Sequence, residues 1–298
     1  MSQGAPDDAP RRTDRPAHPR RADRRGGALA ARDLAAMEPG TATGRRLVRL
    51  AVPLLFGALV LVLWEVVVVG AGVPAVLMPP PSAVVARSAT ALPVLGADFV
   101  QTCLKSALPG YLIGCLSGLG VAILADRLPV LGRGLLPVAN VASALPIVGI
   151  APIMVMWFGF DWPSKAAVVA VMTFFPMLVQ AGAGLAATGS IERDLMRTYA
   201  AAYWRTLLSL RLPMALPFLF TALKVNATLA LIGAIVAEFF GTPIVGMGFR
   251  ISIEAARLSL DMVWAEIALA ALAGSAFYGL IALAERAVTG WHPSVRTG

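Results

Sequence analysis

The chain has 298 residues, of which 58% are hydrophobic and 14% charged, with a mean hydropathy of +0.75; a soluble domain carries about a quarter charged residues. That balance excludes an ordinary soluble domain and points to an integral membrane protein. The net charge of +8 does not point to nucleic acid, because eleven of the 25 basic residues lie before position 50, in "RRTDRPAHPRRADRRGG", at Arg32 and in "GRRLVR".

Residues 1–44 are rich in Arg, Pro, Asp, Gly and Ala and show no periodic apolar face. Such a segment cannot bury enough surface to offset its ordering entropy, and it is expected to be a disordered cytoplasmic tail ahead of a membrane domain at 45–298. The apolar run that follows exceeds the 7–15 residues of a signal-peptide core and precedes further spans, so a retained first helix is expected.

A bilayer core about 30 Å thick needs about 20 apolar residues per helix. Six stretches qualify: 50–71, 102–125, 136–158, 165–187, 215–240 and 262–285. The third carries Pro137, Pro146 and Pro152 and the fifth opens at Pro217, so breaks or kinks are expected there. No alternation suggests a barrel. The expected fold is an all-α bundle of six transmembrane helices. With the N-terminus inside, inside segments hold nineteen basic residues and outside segments five, with Lys224 inside a span, which places both termini in the cytoplasm.

Cys103 and Cys115 lie twelve residues apart in one expected helix, roughly 18 Å along its axis. They cannot bridge each other and read as small buried apolar residues. His18 and His292 are the only histidines, and both lie outside the spans. Neither a metal-ligand cluster nor a nucleophile-base arrangement is visible, and no catalytic or metal-binding residue is expected.

Between the fourth and fifth spans lies "ERDLMRTYAAAYWRTLLSLRLPMALP", Glu192 to Pro217. Leu195, Met196, Tyr199, Ala202, Tyr203, Leu207 and Leu210 recur at three- and four-residue spacing and make one apolar helical face. One short amphipathic helix, or two, fits this pattern. Periodicity alone leaves two uses open: lying at lipid headgroups, or docking on a partner protein.

Within the spans, Lys224 in "ALKVNATLAL" is the clearest ionisable group. It either lines a pathway, snorkels to the surface or pairs with a carboxylate. Asn226 and Thr228 are neighbouring candidates, with Thr228 on the face of Lys224. Glu238, fourteen residues on, shares a similar face near the external mouth. Glu65 and Glu266 are further candidates, for which interhelical pairing is the favoured role. "GAGLAATGS" from Gly182 lacks the lysine of a phosphate-binding loop and reads as small residues for close packing; "GMGFR" from Gly246 reads as an external turn.

The spacing of Asp194, Ala200, Leu210 and Leu212-Pro213 fits without gaps the signature E-A-A-x3-G-x9-I-x-L-P, which overlaps "MRTYAAAYWRTLL" and is preceded by "PSAVV" from Pro81, "WFG" from Trp157, Ser164-Lys165 and "FFP" from Phe174. Across roughly 50–295 the chain resembles the permeases of bacterial ABC importers, of the nitrate/sulfonate/taurine type. "PFLFTALKVNATLALIGAIVAEFFGTPIVGMGFR" looks most like the branch for pyrimidine compounds such as hydroxymethylpyrimidine, with sulfonate, taurine or nitrate as the alternative.

The resemblance implies a coupling segment, with Asp194, Arg197, Ala200, Ala201, Ala202, Leu210 and Pro213 at or near the contact with a pair of ATP-binding subunits. It further implies a homodimer in the bacterial inner membrane, served by a periplasmic or lipid-anchored binding protein. No enzymatic activity and no cofactor are expected on this chain, and its partners are proteins and lipid rather than nucleic acid. A secondary transporter and a membrane scaffold are the readings from other classes. The signature glycine is replaced by Ala200, which is expected to straighten the segment or move its bend elsewhere.

Overall fold

The computed structural model describes residues 42–142, 146–241 and 244–289. The expected tail lies outside the described residues up to position 41, and the first helix, α1 (Ala42–Gly70), starts at Ala42. Cα packing divides the chain into two units, 1–60 and 61–298; of the first, the described part is the opening of α1. All that follows concerns the second.

The described residues form helices and turns with no strand. After α1 come α2 (Pro81–Thr90) and α3 (Leu92–Arg127), then α4 (Pro129–Ala142) and α5 (Ile147–Phe158). They are followed by α6 (Trp162–Ala186), α7 (Ser190–Thr198), α8 (Tyr203–Glu238), α9 (Met247–Ala256) and α10 (Leu260–Thr289). Five stretches are long and apolar enough to cross a membrane: Ala51–Gly70 of α1, and α3, α6, α8 and α10. The expected third span is instead two shorter helices, α4 and α5, with Pro146 at the N-cap of α5. Pro146 is extended (φ −71°, ψ 114°), and α5 begins there.

Two helices run longer than expected. Both α3 and α8 have 36 residues, roughly 54 Å at 1.5 Å per residue, well beyond a 30 Å hydrocarbon core. Each carries a π-helical turn just before a proline: Val100–Ala107 before Pro109 in α3, and Leu207–Arg211 before Pro213 in α8. A proline removes one hydrogen bond and crowds the carbonyl four residues back; a widened turn absorbs both effects. The break expected where the fifth span opens is therefore absent, and α8 continues through Pro213 and Pro217.

α6 is the central helix, packing most extensively on α3 and α8. Its contact with α3 is parallel and unusually close. Gly110, Gly114 and Gly118, spaced by four, meet α6 in turn at Ala166, Ala170 and Phe174, and a Cβ on Gly110 or Gly118 would come within 2.5 or 2.6 Å of a carbonyl oxygen there. Such small-residue stripes let backbones approach where lipid supplies no hydrophobic drive between helices. α8 runs antiparallel to α6, with Gly184 against Ala215 and Gly233 against Met172. α10 runs antiparallel to α8, with Leu231 beside Gly274 and Lys224 paired with Glu285. Tyr111, Cys115, Val169, Leu178, Leu219 and Ala230 belong to the buried core at the meeting of α3, α6 and α8.

Candidate coupling segment and membrane-embedded polar groups

α7 starts one residue after Gly189, with Glu192 in its first turn and Arg197 in its last, charges that complement the helix dipole. Asp194 and Arg197 form an exposed ion pair at 3.2 Å. The helix stops in a Schellman arrangement: the Ala200 N–H donates to the Arg197 carbonyl at 2.9 Å and the Ala201 N–H to that of Met196 at 3.0 Å. This motif needs a left-handed residue just past the helix end, and Ala200 supplies it with φ +49°. The expected straightening is thereby corrected. The bend stays at Ala200, because the paired hydrogen bonds hold the backbone where a glycine would sit without strain.

The chain then turns extended at Ala202 (φ −62°, ψ 154°) and enters α8. The apolar face expected over Leu195–Leu210 is split by this bend. Its second half is bound into the bundle, with Leu207 fully buried against Leu185 and Ala215; its first half is not, and Leu195 and Tyr199 are 53% and 74% exposed. No residue of α7 is buried. Met196, Tyr199, Ala200, Ala201, Ala202 and Arg205 line a concavity of about 610 Å³. Leu210 and Pro213 lie partly buried further along α8.

At the base of this segment the Arg211 guanidinium grips Asp126, the last acidic residue of α3, with two bonds of 2.6 and 2.7 Å. It also donates to the Leu185 carbonyl at the end of α6. The Tyr203 hydroxyl donates to Asp126 at 2.9 Å. Arg127 stacks over the Tyr203 and Trp204 rings, 5.7 and 5.6 Å from their centroids. Asp126 was not among the sequence candidates; the trace that points to it is a lone carboxylate beside Arg127 where an apolar run ends.

The four pathway candidates are not brought together. Lys224 pairs with Glu285 of α10 at 2.8 Å, both side chains 19% exposed. Asn226 is fully buried and points the other way, donating to the Thr173 carbonyl at 2.8 Å and to Cys115 Sγ at 3.3 Å. Thr228 is exposed and borders a cleft of about 510 Å³ shared with Ser275 and Tyr278 of α10. Glu238 is buried at the far end of α8, where it accepts bonds from the Thr102 hydroxyl and the Gly248 N–H.

Glu238 belongs to a polar cap over that end. The first three amides of the α9 turn are each held: Gly246 by Asp98 at 2.6 Å, Met247 by Thr102 Oγ1 and Gly248 by Glu238, both at 2.8 Å. Arg250 pairs with Asp98 at 2.9 Å, and that hydrogen bond raises the guanidinium pKa further above its ordinary range. Lys165, fully buried at the start of α6, donates to the Phe160 carbonyl and the Ser164 hydroxyl. Glu65 accepts from the Ser82 N–H and hydroxyl at the start of α2. Glu266 is fully buried, with neither carboxylate oxygen in a hydrogen bond among the described residues.

Residues 110–295 match the family described as binding-protein-dependent transport system inner membrane component. The chain belongs to this family of permeases. Among curated proteins it is 32% identical over 220 residues to a probable ABC transporter permease of Haemophilus influenzae, covering 74% of this chain and 89% of that protein. It is 32% identical over 241 residues to a riboflavin transport system permease of Chloroflexus aurantiacus, covering 79% and 88%. It is 28% identical over 239 residues to a formylaminopyrimidine transport permease of Halalkalibacterium halodurans, covering 80% and 95%. In this permease, the Ala200 bend follows a helix with no buried residue, and Asp126, Arg211, Lys224, Glu285, Asp98 and Arg250 are paired between helices.

Proposed function

We propose that the permease forms, as a homodimer in a bacterial inner membrane, the translocation pathway of an importer driven by two ATP-binding subunits and fed by a periplasmic or lipid-anchored binding protein. The observation that carries this reading is α7. It is a short amphipathic helix at one end of the bundle whose apolar residues Leu195 and Tyr199 stay exposed beside a concavity lined by three alanines. Small side chains at the bend leave room for a partner backbone, and Asp194, Arg197, Ala200, Ala201 and Ala202 are its contact residues.

Six crossings with both termini in the cytoplasm belong to this reading. The parallel run of α3 and α6 supports counting α4 with α5 as the third crossing. The basic-residue asymmetry supports a cytoplasmic side for α7 and the Asp126–Arg211 pair.

The solute is a small, uncharged or weakly charged planar heterocycle of the pyrimidine class. Relatives named for formylaminopyrimidine and riboflavin support this, as does the neutralisation of Lys224 by Glu285, which removes the cation an anionic sulfonate or nitrate would need in the span. Hydroxyls of Thr228, Ser275 and Tyr278 offer neutral hydrogen-bonding groups beside α8.

The test is reconstitution with the ATP-binding subunit and binding protein, followed by uptake of radiolabelled hydroxymethylpyrimidine, formylaminopyrimidine, riboflavin, taurine and nitrate. ATP-dependent uptake of a pyrimidine or flavin, abolished by Ala201→Trp, is expected. Taurine or nitrate uptake would overturn the solute class. Failure of the ATP-binding subunit to associate, or uptake driven by an ion gradient without ATP, would overturn the importer reading.

A further inference from the structure

We propose that Asp126, Arg211 and Tyr203 are positioning residues that make the end of α3, the end of α6 and the coupling segment move as one body during the transport cycle. This rests on the reading of α7 as the docking site of an ATP-binding subunit.

A docked motor can only move the bundle if its push on α7 is not lost at the joint that follows. The joint is present: the left-handed Ala200 and extended Ala202 separate α7 from α8, and no residue of α7 is buried. Immediately beyond it, Tyr203 and Arg211 converge on one carboxylate. Both approach Asp126 Oδ2, at 2.9 and 2.6 Å, while a second guanidinium nitrogen takes Oδ1 at 2.7 Å. A bidentate pair fixes orientation as well as distance, and with side chains 13% and 19% exposed the pair is only partly screened by water. Arg211 also bonds the Leu185 carbonyl, so three helices meet in one network.

The π-helical turn explains how two residues eight apart reach the same group. In an α-helix turning 100° per residue, Tyr203 and Arg211 would point roughly 80° apart. A π turn takes up about one extra residue, so the eight steps rotate the chain about as far as seven, and the angle falls to roughly 20°. The widened turn at Leu207–Arg211 thus aims Arg211 at the carboxylate that Tyr203 already holds. Pro213, two residues later, makes the widened turn favourable by removing an amide that a regular helix would bond.

The experiment places nitroxides on Leu124→Cys and Leu208→Cys, 47% and 61% exposed on α3 and α8, in a Cys103→Ser/Cys115→Ser background. The permease is held in lipid nanodiscs with its ATP-binding subunits. Dipolar electron paramagnetic resonance compares the nucleotide-free state with the state trapped by ATP and vanadate. The parent distribution is expected to stay fixed on trapping. Tyr203→Phe, and Asp126→Asn/Arg211→Met, which removes both charges and leaves neither stranded, are expected to match the parent at rest and to shift or broaden by about 2 Å or more on trapping, the scale of interface helix shifts.

Variants that track the parent in both states would overturn the inference. A distribution already altered at rest would overturn it too, by showing a merely structural pair. ATP-binding subunits that do not bind the parent would instead overturn the docking reading.

Discussion

Ala200 occupies a backbone conformation suited to glycine, and replacing it tests whether the bend is real. An alanine at φ +49° carries about 1–2 kcal/mol of steric penalty. Glycine removes that penalty but brings about 0.5–1 kcal/mol of extra unfolded-chain freedom. Ala200→Gly should therefore stabilise the closed turn by about 0.5–1 kcal/mol, a two- to fivefold change in the opening equilibrium. The amides that report it are those of Ala200 and Ala201, bonded to the Arg197 and Met196 carbonyls. Their exchange with deuterium, followed by mass spectrometry on a peptide spanning 196–206, should slow two- to fivefold. Ala202, at φ −62°, is the internal control: Ala202→Gly gains nothing sterically, adds the same freedom and should speed exchange by a similar factor. Equal or faster exchange in Ala200→Gly, or both variants moving the same way, would refute the left-handed bend.

Two further outcomes follow from the packing. Gly114→Ala puts a Cβ into the Ala170 carbonyl and Thr173 hydroxyl, whereas Gly120 has open space around it; in detergent the first should lose about 1–3 kcal/mol of stability by overpacking, while Gly120→Ala holds or gains. Matching melting temperatures for the two would contradict the close α3–α6 approach. Lys224→Met leaves Glu285 without its partner in a site 19% exposed and should destabilise by about 2–4 kcal/mol, with most of it recovered in Lys224→Met/Glu285→Leu. A double-mutant cycle with no coupling between the two positions would show that the pair is absent in the membrane.

Hydropathy made the spans legible, because five of the six expected stretches fall on long apolar helices. It placed the start of α3 ten residues late, since Asp98, Gln101 and Thr102 interrupt the apolar pattern yet are buried. Polar side chains that bond another helix look the same in a sequence as polar side chains that face water. Glu238 shows this most clearly: its spacing from Lys224 suggested a shared face toward a solute, but its partners, Thr102 and Gly248, lie in α3 and α9. The Gly110–Gly114–Gly118 stripe is legible from its spacing of four, and close contact with α6 is what that spacing encodes. The Ala200 bend is not legible in the sequence because glycine is a preference there and not a requirement: the surrounding hydrogen bonds offset a penalty of about 1–2 kcal/mol.

The cap over α9 bears on the order in which this chain can assemble. Two of its three amide partners, Asp98 and Thr102, precede their donors by 148 and 145 residues; Glu238 is local, ten residues away. During synthesis the turn before α9 emerges with only Glu238 at hand, and its other two acceptors wait in a helix inserted long before. The three amides can therefore all be bonded only once α8 has come alongside α3, which ties the start of α9 to the meeting of two separately inserted spans.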